Sequence, residues 1–328
     1  MNKLNPSHWV DLAVLILVNL MWASEYPAYQ IASSAMDVTT LNFWTLLFAT
    51  ALLLPFLILE RRRRGNPPIV RPFLRSVVDF LLLGLFGIVP SSVWLAWGIA
   101  HSNASNGAIL SLTIPVMMTL MGVLLLGERF TLLRLAAIVV ALGGTLLLSV
   151  QDIRHSSFSR NLLLGNLVIF ISGVGAAYLN THSKIVRTRF SEVELLVFSY
   201  IVAGSACAIY SVCGESHPFY LVAGYGWQVW VSIAVLGGFV WGLAMVLWMW
   251  VLGRLDVAQI SVSIYLLPVF GLLLSIITLH QSVGLAQIGG GILVAASTTI
   301  LTVYEGRLEK ARMGALPAGN MGIGDESH

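Results

Sequence analysis

The chain has 328 residues, 57% of them hydrophobic and 10% charged, with a net charge of +3 and a mean hydropathy of +0.86. Soluble domains carry roughly 25% charged residues, so these charges are too few to coat a water-exposed surface, and a soluble fold is excluded. The apolar residues run continuously rather than alternating, which also excludes an outer-membrane barrel. What remains is an all-α integral membrane protein in a lipid bilayer.

A helix needs about 20 apolar residues to cross a hydrocarbon layer about 30 Å thick. Ten runs meet that need. In chain order they lie near Trp9–Ile31, Thr39–Leu59, Ser76–Ala100, Ala104–Leu126, Thr131–Val150, Asn161–Ser183, Glu192–Cys213, Trp227–Leu252, Val257–Leu279 and Leu285–Tyr304. The first is longer than the h-region of a signal peptide, about 7–15 residues, and reads as a retained span. Only Gly127 to Phe130 separates the fourth from the fifth. Cys207 and Cys213 share the seventh run and read as small membrane residues, not as a disulfide or metal site. Residues 305–328 read as a short polar tail.

The basic residues orient these spans. With the N-terminus in the cytoplasm, 16 of the 18 Lys and Arg residues fall inside: Lys3, Arg61 to Arg64, Arg71, Arg75, Arg129, Arg134, Lys184, Arg187, Arg189, Arg254, Arg307, Lys310 and Arg312. Only Arg154 and Arg160 fall outside. The opposite orientation inverts the ratio and breaks the positive-inside rule. Both termini are therefore expected in the cytoplasm. The basic residues are loop anchors, so no nucleic-acid partner is expected.

The chain also repeats. Shifted by 153 residues, Trp97 falls on Trp250, Gly84 on Gly237, Phe86 on Phe239 and Pro115-Val116 on Pro268-Val269. The loops swap charge under the same shift. Arg61 to Arg64 fall on Gly214 to His217, Gly127-Glu128-Arg129 on His280-Gln281-Ser282, His101 on Arg254 and Ile31 on Lys184. Whichever copy lies inside carries the basic residue. Five spans is an odd number, so the second copy is inserted upside down. The expected organisation is a first five-helix repeat over 1–150 and a second, inverted one over 151–304, an architecture used by secondary transporters with a site between the halves.

Short motifs in this order resemble those of the drug/metabolite transporter superfamily, specifically its ten-span bacterial EamA-type carriers. They are Trp22-Ala23-Ser24, Pro115-Val116, Leu126-Gly127-Glu128-Arg129, Gly143-Gly144 and Gly289 to Gly291. The second half departs from the pattern, with Leu279-His280-Gln281-Ser282 in place of the LGER-like end and Gly175 opposite Trp22. The resemblance implies a bacterial plasma (inner) membrane protein that exports or exchanges a small-molecule substrate, such as an amino acid, by alternating access.

Residues for that task stand out against the apolar background. Glu25 is the one acidic residue well inside a span, and an Asp or Lys at a helix centre costs about 2.5–3.5 kcal/mol on insertion scales. Asn19, Trp22, Glu25 or Tyr26, and Tyr29 recur every three or four positions and form one stripe. Three roles stand open for Glu25: a substrate amine, a proton, or its own kinked helix. Tyr178 and Asn180 in the sixth span, Ser111 in the fourth, and Ser263 and Tyr265 in the ninth offer further polar groups. Each is either an interhelical hydrogen bond or a cavity contact. Trp22 and Trp241 lie near the midplane and suit stacking on a substrate. Pro27, Pro115 and Pro268 free the carbonyls of Ala23, Ser111 and Ile264 and mark expected hinges.

No H-E-x-x-H, G-x-S-x-G or paired membrane aspartate occurs, and the histidines lie at span ends, in loops or in the tail. No enzyme activity, cofactor or metal is expected. A facilitative channel or uniporter, or a non-transporting scaffold, is the competing reading. Proton coupling, and monomer against homodimer, stay open at this stage.

Overall fold

The computed structural model describes residues 6–65, 76–127, 131–148, 150–152, 157–186, 189–221, 224–252, 263 and 266–314. Tyr265, Ile264, Arg254, the Glu128-Arg129 turn and residues 315–328 lie outside that set.

Within it, seven helices are long and apolar enough to cross a membrane. They are α1 (Val10–Ser33), α2 (Val38–Arg64), α3 (Val77–His101), α4 (Ala104–Leu125), α6 (Arg160–Ser183), α7 (Glu192–Gly214) and α8 (Trp227–Trp248). Three shorter apolar helices occupy the remaining expected spans: α5 (Leu132–Leu147), α9 (Leu266–Leu279) and α10 (Leu285–Leu301). A two-stranded antiparallel ribbon, β1 (Val150–Asp152) and β2 (Ser157–Phe158), joins α5 to α6. Large apolar side chains stand exposed on the helix faces, among them Leu132 at 82%, Leu285 at 70% and Ile209 at 67%. An apolar exterior of this kind calls for lipid. The protein is a multi-pass membrane protein.

The helices depart from α-geometry where their sequences demand it. α1 breaks into a turn at Ser24, whose Oγ donates to the Met21 carbonyl at 2.6 Å, and a new helical segment starts at Glu25. In α4, Pro115 cannot donate to Ser111. A 3₁₀ turn over Ser111–Thr113 instead lets the Ile114 N–H reach that carbonyl, and the α-helix restarts at Ile114. α3 widens into π-turns over Leu83–Ile88 and Pro90–Trp94, and α8 does so over Val235–Leu243. The 153-residue shift carries residues 83–88 onto 236–241, inside the α8 segment.

Packing pairs α2 with α7 and α5 with α10, while α6 lies against α3 and α4 and α1 lies against α8 and α9. Glycine permits the closest crossings. A Cβ on Gly84 would lie 2.8 Å from Cβ of Val202 on α7, and one on Gly237 would lie 2.6 Å from the Thr45 carbonyl on α2. At one end of the bundle, buried Arg61 of α2 pairs with Glu194 of α7. Glu194 also completes a capping box with Ser191 that starts α7. At the other end, Glu215 accepts from the Thr39 and Thr40 amides, at 2.8 and 3.1 Å, and holds the start of α2.

Candidate functional site

A cavity of about 490 Å³ lies between α1, α3, α4, α6, α7, α8 and α9, within the range of about 300–1,000 Å³ usual for small-molecule sites. Its deep end is built by Glu25, Tyr26, Ser111 and Trp241. It extends to Ser183, the last residue of α6, and Glu192, the first of α7, and so opens at the Arg61–Glu194 end.

The helix breaks position the deep wall. Glu25 opens the second segment of α1, and its Oε1 is buried without a hydrogen-bond partner. The Trp241 indole lies beside Glu25, yet its Nε1 is also buried and reaches no hydrogen-bonding geometry. Trp241 sits in the π-turn of α8. Tyr200 fixes it, donating to its carbonyl at 3.0 Å with the rings edge-on at 5.9 Å. Trp22 and Trp248 pack at 4.9 Å between centroids on the same side of the cavity.

Beyond Glu25 the bundle is sealed. Tyr29, fully buried, donates to Asn42 on α2 at 3.1 Å. One residue on, Gln30 Oε1 accepts from the Ala104 amide at 2.6 Å and from Gln281 Nε2 at 2.7 Å. Gln281 Oε1 accepts in turn from the Ser105 hydroxyl at 2.7 Å. A second amide cluster lies beside it. Asn106 Nδ2 donates to Asn166 at 3.1 Å, and Gln287 donates to Asn106 at 2.8 Å. The result is a chamber that is apolar, open at one end and closed at the other by uncharged side chains. Among the described residues no group of three or more His, Cys, Asp or Glu is placed to hold a metal.

Comparison with known proteins decides the family. Residues 9–150 and residues 163–303 each match the EamA-like transporter family. The chain belongs to that family. A similar curated protein is a "Probable terminal-alkyne amino-acid exporter" of Streptantibioticus cattleyicolor, 25% identical over 310 residues, covering 94% of this chain and 98% of that one. Another is the "Uncharacterized transporter YoaV" of Bacillus subtilis, 24% identical over 284 residues, with 85% and 92% covered. A solved crystal structure with 18% identity covers 92% of this chain and 99% of its own, at a TM-score of 0.60, and shares the fold.

In this EamA-like chain the cavity gathers Trp22, Glu25, Tyr26, Ser111, Asn180 and Trp241 from the expected residues, with Pro115 in the wall. Others lie elsewhere. Asn19 is fully buried and donates to the Leu15 carbonyl at 2.8 Å. Tyr29 shares the stripe with Glu25 but sits above the cavity's closed end. Tyr178 stacks on His182 at 5.2 Å, away from the cavity wall. Ser263 is buried and not part of the wall. Pro27 and Pro268 are buried within helices. The structure adds Trp248, Ser91, Ser172 and Glu192. Trp248 lies seven residues after Trp241, a spacing that marks one helix face.

Proposed function

We propose that this chain is a secondary-active carrier that exports or exchanges a small amine-bearing metabolite, amino acids and related compounds being the class to test first. The observation that carries this reading is a chamber that ends blindly on Glu25, is open at one end and is sealed at the other. In a carrier this is one of the two states of alternating access. The open end holds the basic residues and is the cytoplasmic one. The relative's name as an amino-acid exporter supports both the substrate class and the direction.

The mechanism rests on ten crossing helices in two inverted halves, 1–150 and 151–304, both termini in the cytoplasm, within a bacterial plasma membrane. Two family matches of similar length, the coincident π-turns of α3 and α8, and the α1–α8/α9 and α6–α3/α4 pairings support it. Rocking of one half against the other closes the Glu192 mouth and breaks the amide seal. Glu25 binds the substrate amine, Trp22, Trp241 and Tyr26 surround its body, and Ser111 and Asn180 contact its polar groups. Pro115 and Pro27 sit at breaks that let α4 and α1 bend, and Pro268 does the same in α9.

Proteoliposomes test this. A carrier gives saturable flux that unlabelled substrate on the far side accelerates; a channel gives no such counterflow, a uniporter gives counterflow but no accumulation driven by an ion or exchange gradient, and a scaffold gives no flux. Glu25→Gln should abolish counterflow. Retained flux with unchanged pH dependence in that variant removes Glu25 from the mechanism.

A further inference from the structure

We propose that the cavity selects organic monocations: an amine or ammonium group on a flat apolar body, with no carboxylate. This rests on the reading of the cavity as the carrier's substrate site and, within the compounds related to amino acids, takes the amines that lack the carboxylate over the amino acids themselves.

The inference comes from the direction of the hydrogen bonds in the wall. Ser91, Ser111 and Ser172 each send their hydroxyl hydrogen back into their own helix. They donate to the Ile88, Ala108 and Ile169 carbonyls at 3.1, 2.7 and 2.6 Å. Their oxygens therefore face the cavity with lone pairs only. Asn180 gives one amide hydrogen to the Ala176 carbonyl at 2.8 Å, which leaves its oxygen to accept and its second N–H to donate. Glu25 adds a buried carboxylate oxygen with no partner. The serine and carboxylate oxygens thus supply acceptors to the wall, while its other N–H and O–H donors sit on the aromatic side chains of Trp22, Tyr26, Trp241 and Trp248.

The remaining wall suits the same ligand. No Lys, Arg or His is among the described lining residues, so a substrate carboxylate would meet no cation among them. Burying such a group without a counter-charge is strongly unfavourable. Trp22, Trp241, Trp248 and Tyr26 line the space around Glu25, and indole faces attract cations within about 6 Å. The Trp241 Nε1, an unpartnered donor, already lies beside Glu25, where the field of that carboxylate opposes a second anion.

Three probes share one ring and differ only in their charged groups: phenethylamine, phenylalanine and 3-phenylpropionate. Binding to the purified full-length chain is read by quenching of tryptophan fluorescence, and exchange by counterflow in proteoliposomes. Phenethylamine should bind at least about 30-fold more tightly than phenylalanine, and 3-phenylpropionate should not bind. Glu25→Gln should erase that preference while melting no lower than the parent chain. Comparable or tighter binding of phenylalanine, binding of 3-phenylpropionate, or binding of none of the three overturns the proposal. Phenethylamine binding without counterflow of any solute upholds the cation site and removes the carrier reading. Counterflow of phenylalanine without phenethylamine does the reverse.

Discussion

Gln281 of the α9–α10 connection donates to Gln30 of α1 across 2.7 Å, joining residues 251 apart in sequence. Gln30 in turn receives the Ala104 amide and Gln281 receives Ser105, so this pair latches α1, α4 and the α9–α10 turn together above the closed end of the cavity. Gln281→Ala removes the hydrogen bonds to Gln30 and Ser105. At about 0.6–1 kcal/mol each inside a membrane bundle, their loss should raise the population opened at that end about tenfold. Hydrogen exchange of the backbone over Ala104–Leu110 should quicken by about that factor, while Leu46–Leu57 keeps its protection. Unchanged exchange at Ala104–Leu110 would show that the latch does not hold the seal.

At the opposite end the buried Arg61–Glu194 pair ties α2 to α7. Removing one partner of a buried ion pair leaves an uncompensated charge and costs about 3–5 kcal/mol. Arg61→Gln should therefore lower the thermal unfolding midpoint in detergent sharply. The double variant Arg61→Gln/Glu194→Gln keeps a hydrogen bond and buries no charge, and should recover more than half of that loss. If the double variant melts below Arg61→Gln alone, the pair is not what clamps these helices.

The helical character and most span positions were legible because apolar length is a direct demand of the bilayer. The face of α1 was legible too, since Trp22, Glu25 and Tyr26 follow the helical period. Depth was not. Periodicity places Tyr29 on the same face, but only the packing of α2 and α4 shows that the cavity ends below it. Glu192 was read as a span boundary, and the contribution of α7 to the mouth was missed with it. The Gln30–Gln281 latch escaped for a different reason: Gln281 reads only as a loop position of the repeat, and only folding brings it to Gln30. The π-turns of α3 and α8 are also invisible to a 3.6-residue period, although Pro90, Gly237 and Gly242 mark where the backbone is free to widen.

Adjacent glycines on α5 separate packing from composition. A Cβ at Gly144 would lie 2.7 Å from Val294 Cγ2 and 2.9 Å from the Gly290 carbonyl of α10, whereas a Cβ at Gly143 meets nothing within 4 Å. Gly144→Ala must push α5 from α10, at about 1–3 kcal/mol for an overpacked contact. Gly143→Ala should be neutral within about 0.5 kcal/mol. Thermal unfolding of the two variants side by side checks the α5–α10 crossing, and equal midpoints would contradict it.

Thr298 supports the broken helix that carries the cavity wall. Its Oγ1 donates to the Leu112 carbonyl at 2.5 Å, reaching from α10 into the 3₁₀ turn that precedes Pro115. That turn sets the position of Ser111 and Ile114, both in the cavity lining. Thr298→Val keeps the shape and removes the donor, leaving a buried carbonyl short of one partner, at about 0.6–1 kcal/mol. The loss should appear as a small drop in melting temperature and a weaker apparent affinity for the transported substrate. Thr298→Ser restores the hydroxyl and should restore both. A Val variant that loses stability with no change in affinity would confine Thr298 to packing, because the turn would then hold its place without it.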